Sequence, residues 1–120
     1  MMFFDSYAII EMLDGNEKFK KYSTEIIFTN VLNLSEVFYS LLRRVDLRTA
    51  NYLIESFDFE FIEVTRDVAL GAATFKYENK KRKLSYADCI GYITSLKKGM
   101  KFLTGDKEFK NFDNVEFVKK

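Results

Sequence analysis

Short apolar runs alternate along the chain with longer amphipathic stretches, and the alternation continues to the last residues. Met1 to Phe4 is an apolar opening that stops at Asp5, and Ser6 to Leu13 then has the pattern of a helix ended by Asp14 and Gly15. Glu25 to Thr29 (EIIFT) predicts a second strand. Leu34, Val37, Phe38, Leu41 and Val45 mark one face of an amphipathic helix, and another helix is expected from Leu47 to Phe57. Phe59 to Val64, where apolar and acidic residues alternate, predicts the third strand. Thr65 can cap a helix reaching about Glu78, and NKKRK (Asn79 to Lys83) is a charged loop. Ser85 opens the next helix, which Gly99 stops near Lys98. Lys101 to Thr104 makes a fourth strand, a short helical turn follows Asp106, and Val115 to Val118 closes the pattern.

Strands separated by helices predict an α/β fold with a mainly parallel sheet covered on both faces, three layers in all. No proline, low-complexity segment or internal repeat marks a linker, so residues 1–120 are expected to form a single domain.

Composition narrows the chemistry. Thirteen Phe and seven Tyr supply a core, while nineteen basic against eighteen acidic side chains exclude a strongly basic coat, so contact with nucleic acid must rest on local patches. The single cysteine, Cys89, cannot form an internal disulfide, which suits a cytoplasmic protein. The opening residues lack the basic region of a secretory signal, and no apolar run approaches membrane-spanning length, so no membrane insertion is expected. The chain has no histidine. That removes Ser-His-Asp, Cys-His and paired-histidine catalysis, and leaves carboxylates holding a metal as the route to hydrolysis.

Four acidic residues stand where such a site would be built. The usable crevice of an open parallel sheet lies outside the carboxyl ends of its strands. Asp5 follows the first strand and Asp106 the fourth; if those strands are neighbours, both carboxylates reach one spot. Glu36 and Asp88 are expected in first turns of helices starting at the same edge. Each acid alone is also a good cap: Asn33 with Glu36 and Ser85 with Asp88 have capping-box spacing, and Asp5 and Asp106 suit the N-cap position itself. Together, four caps at one edge would gather like charges that only a cation or a proton relieves, and this joint pattern favours a site.

FFDSYAII, NLSEVFYSLL, LSYADCIGYITSL and FLTGDKEF, in this order, resemble the four motifs of the PIN domain family, and within it the small toxin ribonucleases of the VapC type. The resemblance implies a sheet of strand order 3-2-1-4-5 and an acidic quartet of Asp5, Glu36, Asp88 and Asp106. It implies Thr104 near the metal through its hydroxyl, with Ser6 as a further addition. Glu108 stands where relatives often carry another aspartate, and is an optional member. The implied activity is metal-dependent cleavage of RNA leaving a 5′-phosphate and a 3′-hydroxyl. The implied partners are a small antitoxin covering an apolar groove and a second copy in a homodimer.

Carboxylates with few other ligands suit Mg2+ or Mn2+. Phosphate contacts would come from local positive charge, for which Lys80, Lys81, Arg82 and Lys83 are candidates, with Arg43 on a helical stripe shared with Glu36 and Ser40. A charge run is also what a solvated loop looks like. Competing functions are a PIN nuclease in housekeeping RNA processing, a catalytically silent PIN-like binding module, and a receiver-type phosphoacceptor domain. The last would want an acceptor aspartate at the end of the third strand, where Val64 and Thr65 stand.

Overall fold

The computed structural model describes residues 1–24 and 26–119. Five strands and five helices follow in the order β1 (Met2–Phe4), α1 (Ser6–Leu13), β2 (Ile27–Thr29), α2 (Val31–Leu42), α3 (Leu47–Glu55), β3 (Phe59–Phe61), α4 (Arg66–Glu78), α5 (Tyr86–Lys98), β4 (Lys101–Thr104) and β5 (Val115–Phe117). The sheet has the order β3-β2-β1-β4-β5 with every pairing parallel, the order the resemblance implies. It also separates the chain from receiver-type folds, whose third strand lies inside the order 2-1-3-4-5.

Successive strand residues point to opposite faces, and here they build two cores. Phe4 and Leu103 pack with Ile9, Met12, Val37 and Leu41 beneath α1 and α2, whereas Phe3 and Phe102 pack with Val68, Ala72, Cys89 and Tyr92 beneath α4 and α5. The result is an α/β/α sandwich. Gly91 lets α5 lie close over the sheet, since a Cβ there would stand 2.6 Å from Phe3 Cε1.

Several boundaries depart from expectation, among them β2, which starts at Ile27, and β5, which ends at Phe117; three others have a plain local reason. β3 stops at Phe61 instead of Val64 because its partner β2 ends at Thr29, whose carbonyl takes the last cross-strand bond, from the Ile62 N–H (2.8 Å). α2 begins at Val31, with Asn30 as its cap accepting the Asn33 N–H, so Asn33 is a helical residue and not a cap. α3 ends at Glu55, where Ser56 terminates it. A 3-10 turn, Glu17–Tyr22, lies in a stretch with no predicted element and is anchored by buried Phe19 and Tyr22. Glu25, expected to open the second strand, lies outside the described residues. Among the described residues no helix is long and apolar enough to cross a membrane.

Candidate metal centre

β1 and β4 run side by side with Phe4 opposite Leu103, so the two chains leave the sheet together at its carboxyl edge. The Asp5 N–H still donates to the Leu103 carbonyl (3.2 Å). The Thr29 hydroxyl donates to the Phe4 carbonyl (2.9 Å) and laces β2 to the same edge. Asp5 therefore sits between neighbouring strand ends. One of its oxygens caps α1 by accepting the Ala8 N–H (2.8 Å); the other, Oδ2, is buried with no hydrogen-bond partner among the described residues.

On β4 the Thr104 hydroxyl accepts the Asp106 N–H (3.0 Å), and Asp106 Oδ1 accepts the Glu108 N–H (3.0 Å), capping a 3-10 turn over Lys107–Phe109. Gly105 between them is covered by Tyr7: an added Cβ would come to 2.1 Å from Tyr7 Cε1. The turn that aims Asp106 thus depends on a bare backbone at this position.

Ser6 donates to Glu36 Oε1 at 2.6 Å, and buried Asn33 donates through Nδ2 to the Ser6 hydroxyl at 2.8 Å. This relay holds Glu36 against the start of α1. Glu36 itself lies in the second turn of α2 and not the first, because Asn30 starts that helix early. Asp88 is in the first turn of α5, where Ser85 is the cap and accepts the Asp88 N–H (3.1 Å).

Electrostatics tie the four acids together. Burial raises Asp5 well above the usual carboxylate value, and the charges of Asp88 and Asp106 push the same way, while Thr104 and the Ala8 amide oppose them. Asp88 is held up to about 7, first by burial, then by Glu36 and Asp106, against opposing hydrogen bonds from Ser85 and Asn33. Such a group of carboxylates in a water-poor edge is stable only with protons or a cation. Among the described residues no three acidic or thiol side chains stand close enough to enclose a metal ion unaided. An all-oxygen set with a free Asp5 oxygen fits Mg2+ or Mn2+, which keep several waters and take phosphate oxygens to complete their shell.

The remaining candidates divide. Arg82 of the loop between α4 and α5 donates to the Glu108 carbonyl (2.8 Å) and covers the Phe112 ring, which ties the loop to the Asp106 turn. Lys80 lies over the Tyr77 ring (4.8 Å), and Lys81 and Lys83 are exposed in the same loop. Arg43 is not brought to the cluster: it caps the far end of α2, two turns beyond Glu36 or about 10 Å along the axis. Cys89 is buried with its thiol pushed up to about 11, chiefly by burial, so it is an unreactive core residue. Thr29 and Asn30 are polar support that the sequence left unread, and Asn33, read there only as a cap, joins them. Their signal is a Thr-Asn-x-x-Asn run at a strand-to-helix junction, too many polar residues for a buried corner unless they bond one another.

A family model described as PIN domain matches residues 2–115. The chain belongs to the PIN domain family. No curated protein matches this PIN domain by sequence. Among solved structures it is similar to VapC20 of Mycobacterium tuberculosis, a Sarcin-Ricin loop cleaving toxin, with 21% identity over 100% of both chains and a TM-score of 0.79. It is similar to a chain of a toxin-antitoxin complex from Klebsiella pneumoniae, with 17% identity over 100% of both chains and a TM-score of 0.74. VapBC2 from Rickettsia felis, bound to a DNA fragment from its promoter, matches over 99% of this chain and 98% of its own at 12% identity and a TM-score of 0.76. At these identities the likeness establishes the fold that this PIN domain shares with VapC toxins.

Proposed function

We propose that this PIN domain is a Mg2+- or Mn2+-dependent endoribonuclease, the toxin of a toxin–antitoxin pair acting in the cytoplasm. The observation that carries the reading is the acidic edge, where Asp5 keeps a buried unpartnered oxygen beside Asp88 and Asp106. Asp5, Glu36, Asp88 and Asp106 would hold the metal, with Thr104 at the same edge. A metal bound there lowers the pKa of its water and stabilises charge on the phosphate and the leaving oxygen. Asn33 and Ser6 fix the direction of Glu36, Thr104 and the Glu108 amide fix Asp106, and Lys80, Lys81 and Lys83 attract the RNA backbone.

The toxin reading over a housekeeping nuclease is favoured by an apolar groove of about 500 Å³ between α2 and α3, lined by Val31, Leu34, Phe38, Leu42 and Ile54. Val31 and Leu42 are exposed there, a surface that suits the apolar side of an antitoxin segment. A homodimer, which the family resemblance implies, is part of the proposal and is read by light scattering. The deciding experiment is cleavage of mixed cellular RNA by wild type and Asp106→Asn, with Mn2+ or Mg2+ and with chelator. Cleavage that needs both the metal and Asp106 supports the nuclease; metal binding with no cleavage of any RNA turns the assignment to a silent binding module.

A further inference from the structure

Helices α4 and α5 lie antiparallel: Val68 shares a cleft with Thr94 and Lys97, a Cβ at Gly71 would touch Ile93, and Phe75 packs on Tyr92 at 5.0 Å. The end of α4 therefore stands beside the start of α5, at the same edge as the carboxylates. Between them is a cleft of about 250 Å³ lined by Ala73, Lys76, Tyr77, Lys80, Arg82 and Tyr86. Tyr77 and Tyr86 are 69% and 61% exposed. Each ring carries an ammonium, Lys80 over Tyr77 at 4.8 Å and Lys76 over Tyr86 at 5.1 Å. Lys76 also donates to the Leu84 carbonyl, and Arg82 to the Glu108 carbonyl, so two of the three cations are anchored to the backbone.

The lining has two aromatic faces, three cations, no acid, and no aliphatic side chain larger than alanine. That chemistry suits neither an apolar peptide anchor nor a bare anion. It suits a ligand with a flat ring attached to a phosphate. We propose that this cleft is a stacking subsite for an unpaired base of RNA flanking the scissile phosphate, a deepening that rests on the nuclease reading. Tyr86 or Tyr77 takes the base, and Lys76 and Lys80 take the adjoining phosphates. The connection to the cutting centre is short: Tyr86 is two residues from Asp88, and Arg82 joins the loop to the turn that Asp106 caps. Substrates single-stranded next to the cut would be preferred, because a paired base cannot present its face.

The test is binding of a fluorescent short oligouridylate by the full chain in chelator, so that the RNA stays intact, against an abasic ribose-phosphate strand of equal length and charge. Wild type should hold oligouridylate about tenfold more tightly, within the range for stacking one base. Tyr77→Ala/Tyr86→Ala should bring both probes to the same affinity, and Tyr77→Phe/Tyr86→Phe should restore the preference. Equal affinity of wild type for the two probes, or a preference kept by the double alanine variant, overturns the subsite, as does an absence of binding at low salt. Base preference without cleavage of any RNA would sink the nuclease reading and leave the subsite standing; cleavage without base preference would do the reverse.

Discussion

Asp88→Asn removes one charge from the acidic edge while keeping the side chain's size, and its effect should change sign with conditions. In wild type, burial and the charges of Glu36 and Asp106 hold Asp88 up to about 7, against 3.8 for an ordinary aspartate. The folded chain thus binds this proton more tightly than the unfolded chain. The stability it contributes is fully present below about 4 and is lost as pH rises through about 7. The difference between the two values corresponds to on the order of 4 kcal/mol, an upper bound because neighbouring carboxylates share their protons. Asparagine carries no charge at any pH and avoids that loss, minus about 0.3–1 kcal/mol for a negative charge removed from a helix N-terminus. The helix cap is untouched, since Ser85 provides it. In chelator at pH 8.5 the variant should therefore be the more stable by roughly 1–3 kcal/mol, raising Tm by about 2–8 °C per kcal/mol. At pH 5 the advantage should shrink. Saturating Mg2+ should cancel or invert the difference, because an ion at a hundredfold excess over its Kd adds about 2.7 kcal/mol to wild type and far less to a chain missing a ligand. Thermal melts at both pH values, with and without Mg2+, read all four cases. Equal destabilisation of the variant at both pH values, with Mg2+ still stabilising it, would refute the argument and leave Asp88 a structural residue.

Gly105→Ala should cost about 1–3 kcal/mol in urea unfolding, because its methyl group would occupy the Tyr7 ring, and should lower metal-dependent RNA cleavage by displacing Asp106. Asn33→Ala leaves the Ser6 hydroxyl without its donor in a buried place; a loss of roughly 1–3 kcal/mol is expected, with weaker Mn2+ binding by calorimetry. Changing Lys80, Lys81 and Lys83 to Ala should weaken RNA binding and flatten its salt dependence, and an unchanged slope would remove the loop from the substrate path. Arg82→Ala is expected to act differently, loosening the loop from the Asp106 turn and so lowering the cleavage rate more than the salt slope.

Much of the architecture is legible because helix ends are marked chemically. Asp5, Thr65, Ser85 and Gly99 each stand at the helix boundary expected of them, and the first four residues read as a strand. The failures share a cause: they depend on what lies across the sheet. Whether Asn30 or Asn33 begins α2 depends on where β2 stops, and the length of β3 depends on the same partner. The turn Glu17–Tyr22 interleaves lysines with Phe19 and Tyr22, a pattern close to that of a loop until the pocket receiving both rings exists. Arg43 shows the corresponding limit for the site. A stripe on a helix gives the direction a side chain faces but not its height above the edge, and Arg43 faces the right way two turns too far down.

Capping leaves room for the proposed site membership of the same carboxylate. Asp5 spends one oxygen on the Ala8 amide and keeps the other free and buried; Asp106 likewise caps its turn through Oδ1. Those two residues would stand at strand ends for folding reasons alone. Asp88 is the informative case, because its helix is already capped by Ser85 and the helix N-terminus gains only about 0.3–1 kcal/mol from its charge. Burying that charge beside Glu36 and Asp106 destabilises the metal-free chain, and the hydrogen bonds from Ser85 and Asn33 offset it only in part. A residue placed where its charge opposes folding calls for another reason, and the cation proposed to be shared with Asp5 and Asp106 would supply it.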